Sequence, residues 1–183
     1  EALCTKAMVL SSGELLAHTL VDKAILSYLE SVRHAQQMAC QSRYMAAFAI
    51  KDAEGRDRTT FRVGETVEFH FVTSHSRFLY DLRVALLIYN SASVLVAKCF
   101  SYHQHKEPLH TKCGARIVCA LRNLRLTPGV FHISVKIFDG SQPVEEHSCV
   151  ASFTMIPSDV YGTGRFPVIR AGFYLPEATW RVE

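Results

Sequence analysis

Beyond Tyr44 the apolar residues of this chain recur at every second position, segment after segment, with no helical period between them. Successive side chains of a strand point to opposite faces, so this alternation marks half-buried sheet. Residues 45–52 form the first segment, closed by the turn Ala53-Glu54-Gly55-Arg56. In FRVGETVEFHFVTS, Gly64-Glu65 reads as a turn, and Val67, Phe69 and Phe71 then alternate with Glu68 and His70. Residues 82–89 continue the series, and Asn90-Ser91-Ala92-Ser93 turns the chain into residues 94–102. After the polar residues 103–112, a strand over 115–126 ends at Thr127-Pro128-Gly129. In VFHISVKIF, Phe131, Ile133, Val135 and Ile137 face one way, and His132, Ser134 and Lys136 the other. Asp139-Gly140-Ser141 leads to a last strand over 146–156 with Phe153 inward. Six or seven strands so spaced predict an all-β fold, an antiparallel β-sandwich of the immunoglobulin-like or jelly-roll-like kind.

The beginning of the chain has another period. Lys6 to Leu10 reads as a short strand and Ser11-Ser12-Gly13-Glu14 as a turn. From Thr19 to Met38 the apolar residues step by four through Leu20, Ala24, Tyr28 and Val32, widened by Ile25 and Leu29, which predicts a helix. Thr19 followed by Asp22 fits a capping box at its start. Residues 36–42 are polar and poorly periodic, as a linker would be. The expected division is a strand-turn-helix over 1–38, a linker over 39–44 and the sandwich over 45–183. The apolar stripe of the helix is expected to pack on the sandwich or on a second subunit.

Composition narrows the function. With 49% apolar and 20% charged residues the chain is that of a soluble globular protein. A formal charge of +3, carried by dispersed Lys and Arg, does not argue for nucleic acid. No apolar run reaches the roughly 18 residues a membrane helix needs, and no basic segment precedes an apolar one as in a signal peptide. Six cysteines without a CxxC pair read as reduced thiols of a cytoplasmic protein, with a disulfide framework as the alternative.

Catalytic patterns are missing: no phosphate-binding loop, no nucleophile elbow, no HExxH, and no convergent pair of carboxylates among Glu65, Glu68, Asp81 and Asp139. The expectation is a chain that is not an enzyme. Its densest polar and aromatic stretch is FSYHQHKEPLHTKCG, residues 100–114. His103, His105, His110 and Cys113 could be read as a zinc site, but their spacing fits no standard finger, and a solvated or ligand-contacting loop is the plainer reading. No metal site is expected. Aromatic rings that cover the apolar face of a pyranose, beside planar polar groups for its hydroxyls, are what sugar recognition needs. On that chemistry the candidate carbohydrate-binding residues are Tyr102, His103, Gln104 and His105, with Arg83, Tyr89, His132 and Lys136 on outward strand positions. His70 is a further outward position. Trp180 is either an anchor for the C-terminal tail or a stacking platform.

The opening residues LCTKAMVLSSGELLAHTLVDKAILSYL resemble the end of an ABC-transporter nucleotide-binding domain, with Leu3, Cys4, Ala7, Leu10, Gly13, Ala24 and Tyr28 in its order. The strand-rich remainder is similar to the C-terminal domain of Wzt-type ABC ATPases of O-antigen polysaccharide export. KDAEG, FRVGETVEFHF, LRLTPGVFHISVKIFDG, ASFTMI and YGTGRFPVIRAGFYLPEATW carry that likeness. The resemblance implies a C-terminal fragment whose ATP- and Mg-binding motifs lie upstream of Glu1, with no cofactor of its own. It further implies a bacterial carbohydrate-binding module of lipopolysaccharide biosynthesis, cytoplasmic and peripheral to the inner membrane. Such a module recognises the capped non-reducing end of the O-antigen polysaccharide and couples it to export. A homodimer and a transmembrane permease subunit are the implied protein partners. The alternative is a structural or dimerisation domain that only steadies the ATPase; a sandwich hydrolase or zinc enzyme is disfavoured by the missing carboxylate pair.

Overall fold

The structure is a computed structural model that describes residues 5–11, 14–21, 23–25, 42–74, 81–104, 109, 114–167 and 172–177. Two compact units divide the chain, Glu1–Gln41 and Ser42–Glu183. In the first, β1 (Lys6–Ser11) pairs antiparallel with β2 (Glu14–Leu20), in a register that sets Val9 opposite Ala17 and Ser11 opposite Glu14. The second strand is a departure from the expected strand-turn-helix. Ala17 and Thr19 are half-buried while His18 and Leu20 are exposed, so a two-residue period is present that the four-residue steps of Leu20 and Ala24 conceal. Thr19, the expected cap, pairs with Ala7 within β2, and helical backbone begins at residue 21 and is described to residue 25. Val9 and Ala24 are buried. The rest of the expected helix with Tyr28, Leu29 and Val32, and the linker up to residue 41, lie outside the described residues. So do Cys4, Cys40, Cys113, His105, His110 and Trp180.

The second unit holds the remaining strands: β3 (Met45–Lys51), β4 (Thr60–Arg62), β5 (Val67–Thr73), β6 (Leu82–Asn90), β7 (Leu95–Phe100), β8 (Arg116–Leu121), β9 (Gly129–Asp139) and β10 (Gln142–Ile156). They form a five-stranded sheet in the order β4-β10-β9-β6-β7 and a three-stranded sheet in the order β3-β5-β8. This is an all-β sandwich. Every pairing is antiparallel except β4 with β10, which run parallel with Thr60 beside Thr154.

The alternation read from the sequence is what closes the two sheets on each other. Val67, Phe69, Phe71 and Thr73 of β5 are buried while the residues between them are half-exposed. Phe131, Ile133, Val135 and Ile137 of β9 meet them from the other sheet. Phe153 on β10 is the hub of this core. Its ring stacks on Phe131 at 5.5 Å and meets Phe61 at 6.2 Å and Phe69 of the opposite sheet at 5.8 Å, the latter two edge-on. Edge-to-face and offset geometries suit the aromatic quadrupole and add to the area term.

Local chemistry sets where strands stop. β8 ends at Leu121 rather than at residue 126, because Asn123 takes φ 52°, a left-handed conformation that Asn tolerates better than most residues. Leu124 then bonds across to the turn before β5, its N–H donating to the Glu65 carbonyl at 3.0 Å. Between β9 and β10 the hairpin closes on Gly140, φ 59°, whose N–H donates to the Asp81 carbonyl at 2.8 Å. β7 stops at Phe100, and Ser101–Gln104 make a single helical turn, α1, in place of the expected strand end. The Ser101 hydroxyl accepts the Val84 N–H at 2.9 Å, which drops that residue out of the ladder.

β10 carries two register shifts, one between Pro143 and Glu145 and one between His147 and Ala151. The second surrounds Cys149, φ 53°, whose N–H donates to the Ser134 hydroxyl at 3.1 Å. Between the shifts Glu145 and His147 pair with the core residues Ile137 and Val135 and so point inward. Glu145 is therefore a mostly buried carboxylate. Its Oε1 accepts the Arg43 N–H at 2.9 Å, and its Oε2 accepts the Tyr44 N–H at 3.1 Å and the Ser42 hydroxyl at 3.0 Å. The His147 Nε2 lies 3.2 Å from Oε2. Burial alone would raise the Glu145 pKa, but the Arg43 N–H, His147 and Ser42 outweigh it and hold the carboxyl below its ordinary value.

Candidate functional site

The outward positions of the five-stranded sheet form a polar and aromatic surface on the second unit. Register places them in rows. Tyr89 of β6 lies beside His132 of β9, which in turn lies beside Ser152 of β10. Next come Lys98, Leu87 and Ser134, then Phe100, Ala85, Lys136 and Glu146, and last Arg83 with Phe138. The middle of this face is closed: Ala85 and Leu87 are buried, and His132 and Ser134 are each only 7% exposed. Exposed sheet face was expected for His132, and the structure corrects this. Its Nδ1 instead lies 3.2 Å from the Ser152 hydroxyl.

At one end of the face the groups converge. Arg83 forms a two-point contact with Asp81, Nε to Oδ1 at 3.0 Å and Nη2 to Oδ2 at 2.6 Å. Hydrogen bonding to Asp81 raises the Arg83 pKa, so the guanidinium stays charged. It lies 4.1 Å from the centre of the Tyr102 ring, within cation–π range. Phe100 meets His103 at 5.1 Å, Phe138 at 5.2 Å and Tyr102 at 6.1 Å, and Lys98 Nζ sits 5.0 Å from its ring. Tyr102 itself is 57% exposed. The result is an aromatic shelf with cations at its edge and a carboxylate within reach. Chemically it can cover an apolar ring face and bond hydroxyl or acidic groups around it.

Of the residues expected from sequence, Arg83, Tyr102 and His103 are brought together here. Tyr89 and His132 are neighbours in the row farther along the same face, and Lys136, beside Ala85, pairs with Glu146 at 2.9 Å. Gln104 departs from the group and lines a cavity between the sheets. His105 lies outside the described residues. His70 belongs to the other sheet, where its Nε2 is 2.8 Å from Glu68 Oε2, so it cannot join the Arg83 face. Alternation tells inward from outward but not which sheet a strand enters. Phe100, Phe138 and Asp81 complete the shelf and were not singled out from sequence. Phe138 was within reach, since it follows His132, Ser134 and Lys136 at the two-residue period.

No protein-family model matches the chain, and no curated protein sequence matches it. A solved structure does match: the crystal structure of the C-terminal domain of Wzt, with a TM-score of 0.60 at 13% identity. The likeness covers 76% of this chain and 83% of that one. The chain shares the fold of the Wzt C-terminal domain. At that identity the likeness concerns backbone architecture. Among the described residues no helix is long and apolar enough to cross a membrane, and no cluster of three or more His, Cys, Asp and Glu could hold a metal ion.

Proposed function

We propose that this chain is a non-catalytic glycan-binding module that recognises the end of an O-antigen polysaccharide and couples it to export by an ABC transporter. The shared fold with the Wzt C-terminal domain carries this reading. The Arg83–Tyr102–Phe100 shelf supports it chemically, because it offers stacking area and charged hydrogen-bonding groups. In this reading the glycan end lies over Tyr102, with Arg83 and Lys98 contacting hydroxyls or an acidic cap. The module works as a homodimer at the cytoplasmic side of the inner membrane, with the permease subunit as its further partner. A few exposed hydrogen bonds, each contributing a net of about 0.5–1.5 kcal/mol, with one or two stacked rings, give micromolar or weaker affinity.

Calorimetric titration of the chain with the O-polysaccharide of its own strain, intact and with the terminal cap removed, tests the proposal. Binding to the intact glycan that weakens on removing the cap supports it. Absence of binding to both forms refutes it and leaves the structural or dimerisation role. Export that survives Arg83→Ala and Tyr102→Ala but fails when the dimer is broken would favour that second role directly.

A further inference from the structure

Two cysteines line one cavity between the sheets of the sandwich. Cys99 of β7 pairs with Leu86, and Cys119 of β8 pairs with Phe69; both partners are core residues, so both thiols turn inward. β7 is the last strand of the five-stranded sheet and β8 the last of the three-stranded one, and the two are not hydrogen-bonded to each other. Between these edges lies a cavity of about 320 Å³, lined by Phe71, Leu86, Leu109, Ile117 and both thiols. Cys99 and Cys119 are free and half-buried. Hydrogen bonding between the two thiols would favour charge on one sulfur at the expense of the other: the Cys99 thiol is pulled down and the Cys119 thiol pushed up. Both thiols thus line one cavity from opposed edge strands, which sets them on facing sides of the gap between the sheets.

We propose that Cys99 and Cys119 form a redox clasp, a reversible disulfide that joins the two sheets along their unpaired edges at the mouth of this cavity. The oxidant is a hydroperoxide. The Cys99 thiolate attacks the terminal oxygen, the O–O bond breaks, and the departing alkoxide takes a proton to leave as the alcohol (water, for hydrogen peroxide). Cys99 is now a sulfenic acid. Cys119 sulfur attacks Cys99 sulfur, the S–S bond forms, and hydroxide departs and is neutralised by the Cys119 proton. Two thiols and one hydroperoxide thus give one disulfide, one alcohol and one water. A dithiol reductant reverses the step by thiol–disulfide exchange.

The two sulfurs close a loop that runs from the end of β7 through α1 into β8, so the oxidised chain should resist unfolding more strongly. The test is peptide mass spectrometry of the full 183-residue chain after hydrogen peroxide and alkylation, beside thermal unfolding with and without dithiothreitol. The expected result is a Cys99–Cys119 cross-linked peptide two hydrogens lighter than the separate pair, with the other cysteines alkylated. The thermal midpoint should rise by about 5–10 °C and return on reduction. Cys99→Ser and Cys119→Ser should each abolish both the cross-link and the shift. Alkylation of both residues after peroxide, a cross-link to any other cysteine, or over-oxidation of Cys99 without a disulfide overturns the proposal. A cross-link that leaves the midpoint unchanged overturns the clasp.

Discussion

Replacing Glu145 by glutamine changes one half-buried oxygen to nitrogen, and its consequences can be followed atom by atom. In the native chain Oε1 takes the Arg43 N–H while Oε2 takes the Tyr44 N–H and the Ser42 hydroxyl. Glutamine keeps one acceptor. Its NH₂ group can still bond the Ser42 oxygen, which is already an acceptor for the Met45 N–H at 2.7 Å, and it can donate to His147. It can offer nothing to the Tyr44 N–H, which then loses its partner in a half-buried setting. An orphaned donor costs about 1–3 kcal/mol, and loss of charge assistance adds to this, so Glu145→Gln should destabilise by about 2–3 kcal/mol and Glu145→Ala by about 3 kcal/mol or more. Urea unfolding followed by Trp180 fluorescence and circular dichroism measures it. The penalty should also depend on pH in a definite direction. The carboxyl is held below its ordinary value, so its stabilisation is complete above about pH 4.3, the unfolded value, and is lost as pH falls through the lower folded value. Native and glutamine chains should therefore converge below that range. A difference under about 0.5 kcal/mol at pH 7, or one that grows on acidification, would refute the reasoning.

Phe153→Ala empties the centre of the aromatic cluster and should cost about 3–5 kcal/mol in chemical unfolding, while Phe153→Leu costs less than half as much. Ser93 holds φ 60° in the β6–β7 turn, so Ser93→Gly should raise stability by about 0.5–1 kcal/mol and Ser93→Val should lower it, read from the same unfolding curves. Tyr102→Ala and Arg83→Ala should each weaken glycan binding about tenfold without moving the thermal midpoint by more than about 2 °C. Arg83→Lys should recover only part of the affinity, because an ammonium cannot hold the two-point contact with Asp81 and the ring of Tyr102 together.

The strands whose alternation is unbroken, β5 and β9, were legible in the sequence together with their inward residues, because one face of each meets the core. β2 was not, since Leu20 and Ala24 supply a helical step at the place where the strand ends. Nor was β4, whose three residues are too few to show a period. The candidate shelf was half legible. Arg83 and Tyr102 carry the chemistry in their side chains, but Tyr102 reaches Arg83 only because Ser101 leaves the β-ladder and starts a helical turn. His132 and His70 were misplaced for two different reasons. The first depends on how far the sheet face is covered, and the second on which sheet receives β5; neither is encoded in a two-residue period. Glu145 was invisible as an anchor, because its partners are about a hundred residues away along the chain.

That separation has a consequence in time. Residues 42–44 and β4 both complete their contacts on β10, residues 42–44 through Glu145 and β4 through its parallel ladder. During synthesis the early strands emerge while β10 has yet to be made, so their edges wait unpaired through most of elongation. The short turn at Gly140 lets β9 and β10 zip together locally as soon as both are available, and that hairpin then recruits the early strands across a long loop. Assembly of this sandwich is thus gated by β10, and a ribosome-stalled chain ending before residue 142 should expose residues 42–44 and β4 to proteases that leave the released protein intact.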